Sequence, residues 1–143
     1  MTTSAVRQTL GLSVCLVLFT ALCSAAQGGA GGAKEGEKFL GAWSGTWAGG
    51  GSGGFDLTLE KGAEGALGGK VAVTGGPTYN ATLKTVSFES NKMTARYDFP
   101  EDEGIEVVLV ATFDGKTATG TWSAREKGAG SEVATGTWTV TKK

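Results

Sequence analysis

The pentapeptide "ATGTW" occurs twice near the C-terminus, at residues 118–122 and 134–138, and a shorter copy, "SGTW", lies at residues 44–47. Within each copy the glycine and the tryptophan are two residues apart. In an extended strand they therefore share one face, and the threonine between them points to the opposite face. The repeats predict three β-strands of similar construction.

The last two copies predict how their strands pair. If the hairpin between them turns symmetrically about Ala129, Trp122 lies opposite Gly136 and Trp138 lies opposite Gly120. Each indole then covers the glycine across from it, which restores packing over a residue that otherwise weakens a strand. The repeats are therefore expected to form part of the closing seam of a sheet.

The chain from residue 38 onward alternates apolar and polar residues in the same way, with breaks about every 10–13 residues at Gly, Asp or Asn. This pattern is typical of short antiparallel strands and contains no helical periodicity. The predicted strands are 42–48, 54–61, 66–74, 79–89, 92–99, 105–113, 117–125 and 132–141.

Short connections join these eight strands, so consecutive strands are expected to be antiparallel neighbours in an up-and-down meander. Such a meander hides its two edges by closing into a barrel, which brings the eighth strand beside the first. The fourth strand contains one irregularity, because Leu83 lies on one alternation phase and Val86 and Phe88 lie on the other. We expect a β-bulge near residues 84–85.

The N-terminal part of the chain differs from the rest. A single charge, an apolar run and a series of small residues predict a signal peptide over residues 1–26. Two alternatives are a retained N-terminal anchor and acylation of Cys23. Residues 27–37 are Gly-rich and polar and predict a flexible linker, which leaves residues 38–143 as one β-barrel domain. The expected localisation is secreted or periplasmic.

Composition restricts the function. The chain has no histidine, and both cysteines lie before residue 26, so the common catalytic triads and zinc sites are excluded. Without Arg7, 12 basic and 14 acidic residues remain, a balance that does not indicate nucleic-acid binding. We therefore expect a protein that is not an enzyme and has no cofactor, metal site or membrane span.

The stretch "KFLGAWSGTW" at residues 38–47, together with a basic residue in phase on the last strand, resembles the calycin superfamily of lipocalins, fatty-acid-binding proteins and avidins. The resemblance implies that Trp43 or Trp47 packs in the barrel floor against Lys142. The chain lacks the Asn that avidin-like proteins place shortly after this tryptophan. The Gly-Thr-Trp rhythm also resembles small exported bacterial domains of unassigned function.

Two functional hypotheses follow. In the first, a barrel mouth binds a small apolar or amphipathic ligand through Trp43, Trp47, Tyr97, Trp122 and Trp138. In the second, a solidly packed barrel is an interaction module that meets a partner protein or an envelope component. Outward-facing apolar residues on the sixth strand, Val108 and Val110, suggest a homo-oligomer contact. A cavity beside the tryptophans would favour the first hypothesis.

Overall fold

The computed structural model describes residues 34–143, so the predicted signal peptide and all but the end of the predicted linker lie outside the described residues. Two short 3₁₀ turns occur at Glu37–Phe39 and Ala63–Gly65. The nine strands are β1 Gly41–Ala48, β2 Ser52–Lys61, β3 Leu67–Val73, β4 Tyr79–Thr82, β5 Thr85–Glu89, β6 Lys92–Asp98, β7 Ile105–Asp114, β8 Thr117–Glu126 and β9 Glu132–Lys142. Over this part of the chain, no helix has the length and apolar character needed to span a membrane.

All strands belong to one antiparallel sheet in the order β4-β3-β2-β1-β9-β8-β7-β6-β5. The predicted pairing of the first and last strands is confirmed, and Trp47 lies directly opposite Trp138 across it. The edge strands β4 and β5 are consecutive in the chain, separated by two residues, so the sheet must curl until its edges meet. The result is a curled up-and-down antiparallel sheet.

The fourth predicted strand is two strands, so the prediction of eight strands was wrong by one. The break falls at Leu83 and Lys84, beside the position where a bulge was expected. The N–H of Leu83 donates to the carbonyl of Gly69 on β3, and the N–H of Lys84 donates to that of Arg96 on β6. In one continuous strand Leu83 and Phe88 would face opposite sides, yet both side chains are buried. The chain therefore passes from the edge formed by β4 to the edge formed by β5 at this point.

The predicted register of the two "ATGTW" repeats is confirmed. Trp122 lies opposite Gly136, and Trp138 lies opposite Gly120. A Cβ atom on Gly120 would lie 1.9 Å from the carbonyl oxygen of Val110 on the neighbouring strand, far inside van der Waals contact. The glycine of the repeat therefore lets adjacent strands approach closely, and the tryptophan packs over the space that the absent side chain leaves.

One end of the barrel, which we call the floor, is filled by Phe39, Trp43, Phe88 and Phe113. Their ring centroids are 4.8–5.3 Å apart in the contacting pairs. The indole N–H of Trp43 donates to the Phe39 carbonyl at 2.9 Å. The ammonium of Lys142 lies 5.5 Å from the Trp43 ring, so Trp43 rather than Trp47 has the basic neighbour that the calycin resemblance implied.

The segment before β1 is part of this floor. Gly36 is buried, with Leu67 and Phe88 so near that a Cβ atom would overlap both side chains. The carboxylate of Glu35 accepts a hydrogen bond from the backbone N–H of Ser90 at 2.6 Å. Residues 35–37, which composition assigned to the linker, therefore contact the barrel because Phe39 anchors them against its floor.

Candidate functional site

The opposite end of the barrel, which we call the mouth, contains a cavity of about 280 Å³. Its walls are apolar, built from aromatic and aliphatic side chains, and the only carboxylate among the lining residues is that of Asp102. The aromatic lining residues are Trp47, Phe55, Tyr79, Tyr97, Phe99 and Trp122. The aliphatic ones are Val73, Pro77, Ile105, Val107, Leu109, Val133 and two alanines, Ala124 and Ala134. The deeper lining residues are buried and those at the rim are exposed, so the cavity opens to solvent.

Two tryptophans form one wall of the mouth. Trp47 is buried on β1, Trp122 is half-buried on β8, and their rings meet edge to face at 6.0 Å. The N–H of Trp47 donates to the Thr74 carbonyl at 3.0 Å and that of Trp122 to the Ala48 carbonyl at 3.1 Å. Because both indole donors are used by the backbone, these side chains offer a ligand an aromatic surface.

Two tyrosines form another part of the wall and supply the hydroxyl groups of the cavity. The hydroxyls of Tyr79 and Tyr97 are 2.9 Å apart and hydrogen-bonded to each other. The pair bridges β4 and β6, which are not paired by backbone hydrogen bonds. Burial raises the pKa of both hydroxyls, and the nearby Glu101 carboxylate raises that of Tyr79 further although its bond to Tyr97 lowers it. Both side chains are therefore neutral phenols over the physiological pH range.

The five predicted ligand-binding residues separate into two groups. Trp47, Tyr97 and Trp122 line the cavity, whereas Trp43 and Trp138 do not. Trp43 lies four residues from Trp47 on the same strand, about 13 Å away, and packs in the floor. Trp138 is 2% exposed, packs 5.1 Å from Phe55 and donates its N–H to the Thr121 carbonyl. These two indoles fill the barrel interior.

The sequence pattern did not predict several of the lining residues. Tyr79 could have been found, because it follows the inward alternation phase of the fourth predicted strand, beside the strand that carries Tyr97. Val133 could not, because it is placed by a register shift in the β8–β9 pair next to Ala124. That shift puts Val133, which is 53% exposed, at the rim of the mouth.

The outward-facing valines of β7 are less accessible than predicted. Val108 is only 8% exposed within a single chain, and Val110 is half-buried. Arg96, directly opposite Val108, reaches Glu106 at 3.5 Å, so its aliphatic stem lies along this part of the sheet. Val108 therefore has little surface left for contact with a second copy.

The buried tyrosine pair predicts a loss of stability at alkaline pH. The unfolded chain ionises its tyrosines near pH 10, whereas the folded protein holds them protonated, so the unfolded state releases protons that the folded state keeps. Above pH 10 the free energy of unfolding should fall by about 1.4 kcal/mol per pH unit for Tyr97, the more deeply buried of the two, and Tyr79 should add to the fall in the same direction. Urea unfolding at a series of pH values, compared with Tyr97→Phe, measures this slope.

The chain contains just these two tyrosines, so absorbance gives an independent check. Tyrosinate absorption should appear together with unfolding rather than before it. An ordinary tyrosinate titration near pH 10 in the folded protein would contradict the buried hydroxyl pair.

Comparisons with known proteins show the fold. No family model matches the chain, and no curated protein matches it. Among solved structures the chain is similar to EF1p2_mFAP2b bound to DFHBI, with a TM-score of 0.54 and 11% sequence identity. The match covers 78% of this chain and 98% of that chain. The curled antiparallel sheet and this likeness define the fold as an up-and-down antiparallel β-barrel.

Proposed function

We propose that this protein is an exported, non-catalytic β-barrel that binds one small apolar or amphipathic molecule in the mouth. The observation that carries the proposal is the contrast between the two ends of the barrel. Aromatic rings fill the floor, whereas the mouth keeps an open apolar cavity beside Trp47, Trp122 and Tyr97. Ligand sites in small barrels lie at such mouths and have apolar walls with few polar groups.

The comparison with solved structures also supports the proposal, because the similar structure is that of EF1p2_mFAP2b bound to DFHBI. Export rests on the sequence of residues 1–26, and we expect the mature chain to begin at Gln27, which N-terminal sequencing of the secreted or periplasmic protein measures.

Tryptophan fluorescence tests the binding proposal directly. Two indoles line the cavity and two do not, so a ligand should change the emission of Trp47 and Trp122 alone. A panel of neutral aromatic compounds, sterols and lipids should include at least one saturable ligand. The double variant Trp47→Phe/Trp122→Phe should lose the fluorescence response. Calorimetry should still detect ligand binding to it, because phenylalanine keeps an aromatic wall.

Trp43→Phe is the matched control, since Trp43 lies in the floor. It should keep the full fluorescence response. The proposal is wrong if neither fluorescence nor calorimetry detects binding of any compound in the panel to the folded protein.

A further inference from the structure

We infer that the mouth selects an uncharged, flat aromatic ligand that carries one hydrogen-bond acceptor, and that it discriminates against carboxylates. This inference rests on the proposed function, because it names the ligand class for the same cavity. The shape of the cavity, the tyrosine hydroxyls and the charge of the walls and rim all favour this ligand class.

The shape of the cavity favours a small flat body. Its volume of about 280 Å³ lies just below the ~300–1,000 Å³ typical of ligand pockets. Aromatic walls formed by Trp47, Trp122, Tyr79 and Phe99 allow stacked and edge-to-face contacts with another aromatic ring. A fused bicyclic ring matches both the size and the character of these walls.

The tyrosine pair supplies one hydrogen-bond donor. Two phenols carry two O–H groups, and one bond between Tyr79 and Tyr97 uses one of them. Within residues 34–143 neither hydroxyl has another protein partner, so one O–H remains free to donate. A ligand carbonyl or ether oxygen would accept it, and the mutual bond between the hydroxyls would strengthen the donor.

The charges around the cavity exclude an anion. No lysine or arginine lines it, so a buried ligand carboxylate would have no cation to offset its lost hydration. The rim adds repulsion, because the loop after Phe99 carries the carboxylates of Glu101, Asp102 and Glu103. Lys84 and Lys127 both bind the carboxylate of Asp98, at 3.1 and 2.9 Å. The site is therefore unlike one built around an arginine or lysine for a fatty-acid headgroup.

Three naphthalenes of nearly equal shape test the inference by calorimetry with the full protein. They are 2-acetylnaphthalene, which has an acceptor, 2-ethylnaphthalene, which has none, and 2-naphthoate, which is an anion. We expect the ketone to bind about 2- to 10-fold more tightly than the hydrocarbon, since one net hydrogen bond has this effect. The naphthoate should bind at least about tenfold more weakly than the ketone.

The variant Tyr79→Phe/Tyr97→Phe removes both hydroxyls and should bind the ketone and the hydrocarbon equally. Replacing both partners of a hydrogen bond by apolar groups of the same shape is nearly neutral for stability, so this variant should fold. Either single Tyr→Phe variant leaves one hydroxyl and should keep the preference for the ketone.

The outcomes separate the two proposals. Binding of none of the three naphthalenes, while a sterol or lipid of the panel binds, would overturn the inferred ligand class alone. Failure of the naphthalenes and of the whole panel would overturn the proposed function itself. If the wild-type protein binds ketone and hydrocarbon equally, or if naphthoate binds as tightly as the ketone, the cavity binds ligands but the inferred ligand class is wrong.

Discussion

Trp43→Ala should reduce the free energy of unfolding by about 3–5 kcal/mol, the largest loss expected from a single substitution in this chain. Trp43 is fully buried, contacts Phe113 edge to face at 4.9 Å, and lies beneath the ammonium of Lys142. Truncation would leave a large cavity in the floor and remove the indole donor from the Phe39 carbonyl. Since a domain of this size has about 5–15 kcal/mol of stability in total, much of it would be lost.

Trp122→Ala is the control for this prediction, because Trp122 is half-buried at the mouth. We expect it to cost only about 1–2 kcal/mol of stability while it weakens ligand binding. Urea unfolding of both variants provides the comparison. Equal losses of stability would contradict the assignment of Trp43 to structure and Trp122 to the mouth.

Gly120→Ala should reduce the free energy of unfolding by at least about 2 kcal/mol, although it adds a single methyl group. The new Cβ atom would lie 1.9 Å from the Val110 carbonyl oxygen and 2.6 Å from the Cα atom of Ala111. Both atoms belong to the backbone of β7, so strands β7 and β8 would have to separate. A side-chain rotation cannot relieve this overlap.

Gly50→Ala is the matched control, because no atom lies within 4 Å of the Cβ position at Gly50. Its effect on the midpoint of urea unfolding should be within about 0.5 kcal/mol of zero. If Gly120→Ala is as well tolerated as Gly50→Ala, the glycine of the repeat does not hold adjacent strands close together.

The alternation of the sequence was sufficient to predict most of the sheet. Strand faces repeat every two residues, so a hairpin turning about Ala129 was enough to predict the pairing of Trp122 with Gly136. The pairing of β1 with β9 followed from the expectation that a meander hides its edges by closing. The split between β4 and β5 did not, because a change of alternation phase at Leu83 fits either a bulge or a transfer between sheet edges. Hydrogen bonds to strands distant in the sequence decide between a bulge and a transfer, because Leu83 bonds to β3 and Lys84 bonds to β6.

The candidate site was only partly predictable for a related reason. Alternation shows which residues point inward but not how far along the barrel axis each one lies. Trp43 and Trp47 share one face of β1 yet lie in the floor and at the mouth, respectively. Trp43 is assigned to the floor by its packing with Phe113, a contact between distant parts of the chain.

Ligand affinity in Ala124→Leu tests the central claim, that the open cavity at the mouth is a binding site. Ala124 lines the cavity and is 9% exposed, so a leucine there fills the space, with stability unchanged or raised by about 0.5–2 kcal/mol. Ala48→Leu makes the same change at an exposed residue outside the cavity. Calorimetric titration should show binding to the wild-type protein and to Ala48→Leu, and none to Ala124→Leu. A folded Ala124→Leu protein that binds the ligand with wild-type affinity would contradict the claim.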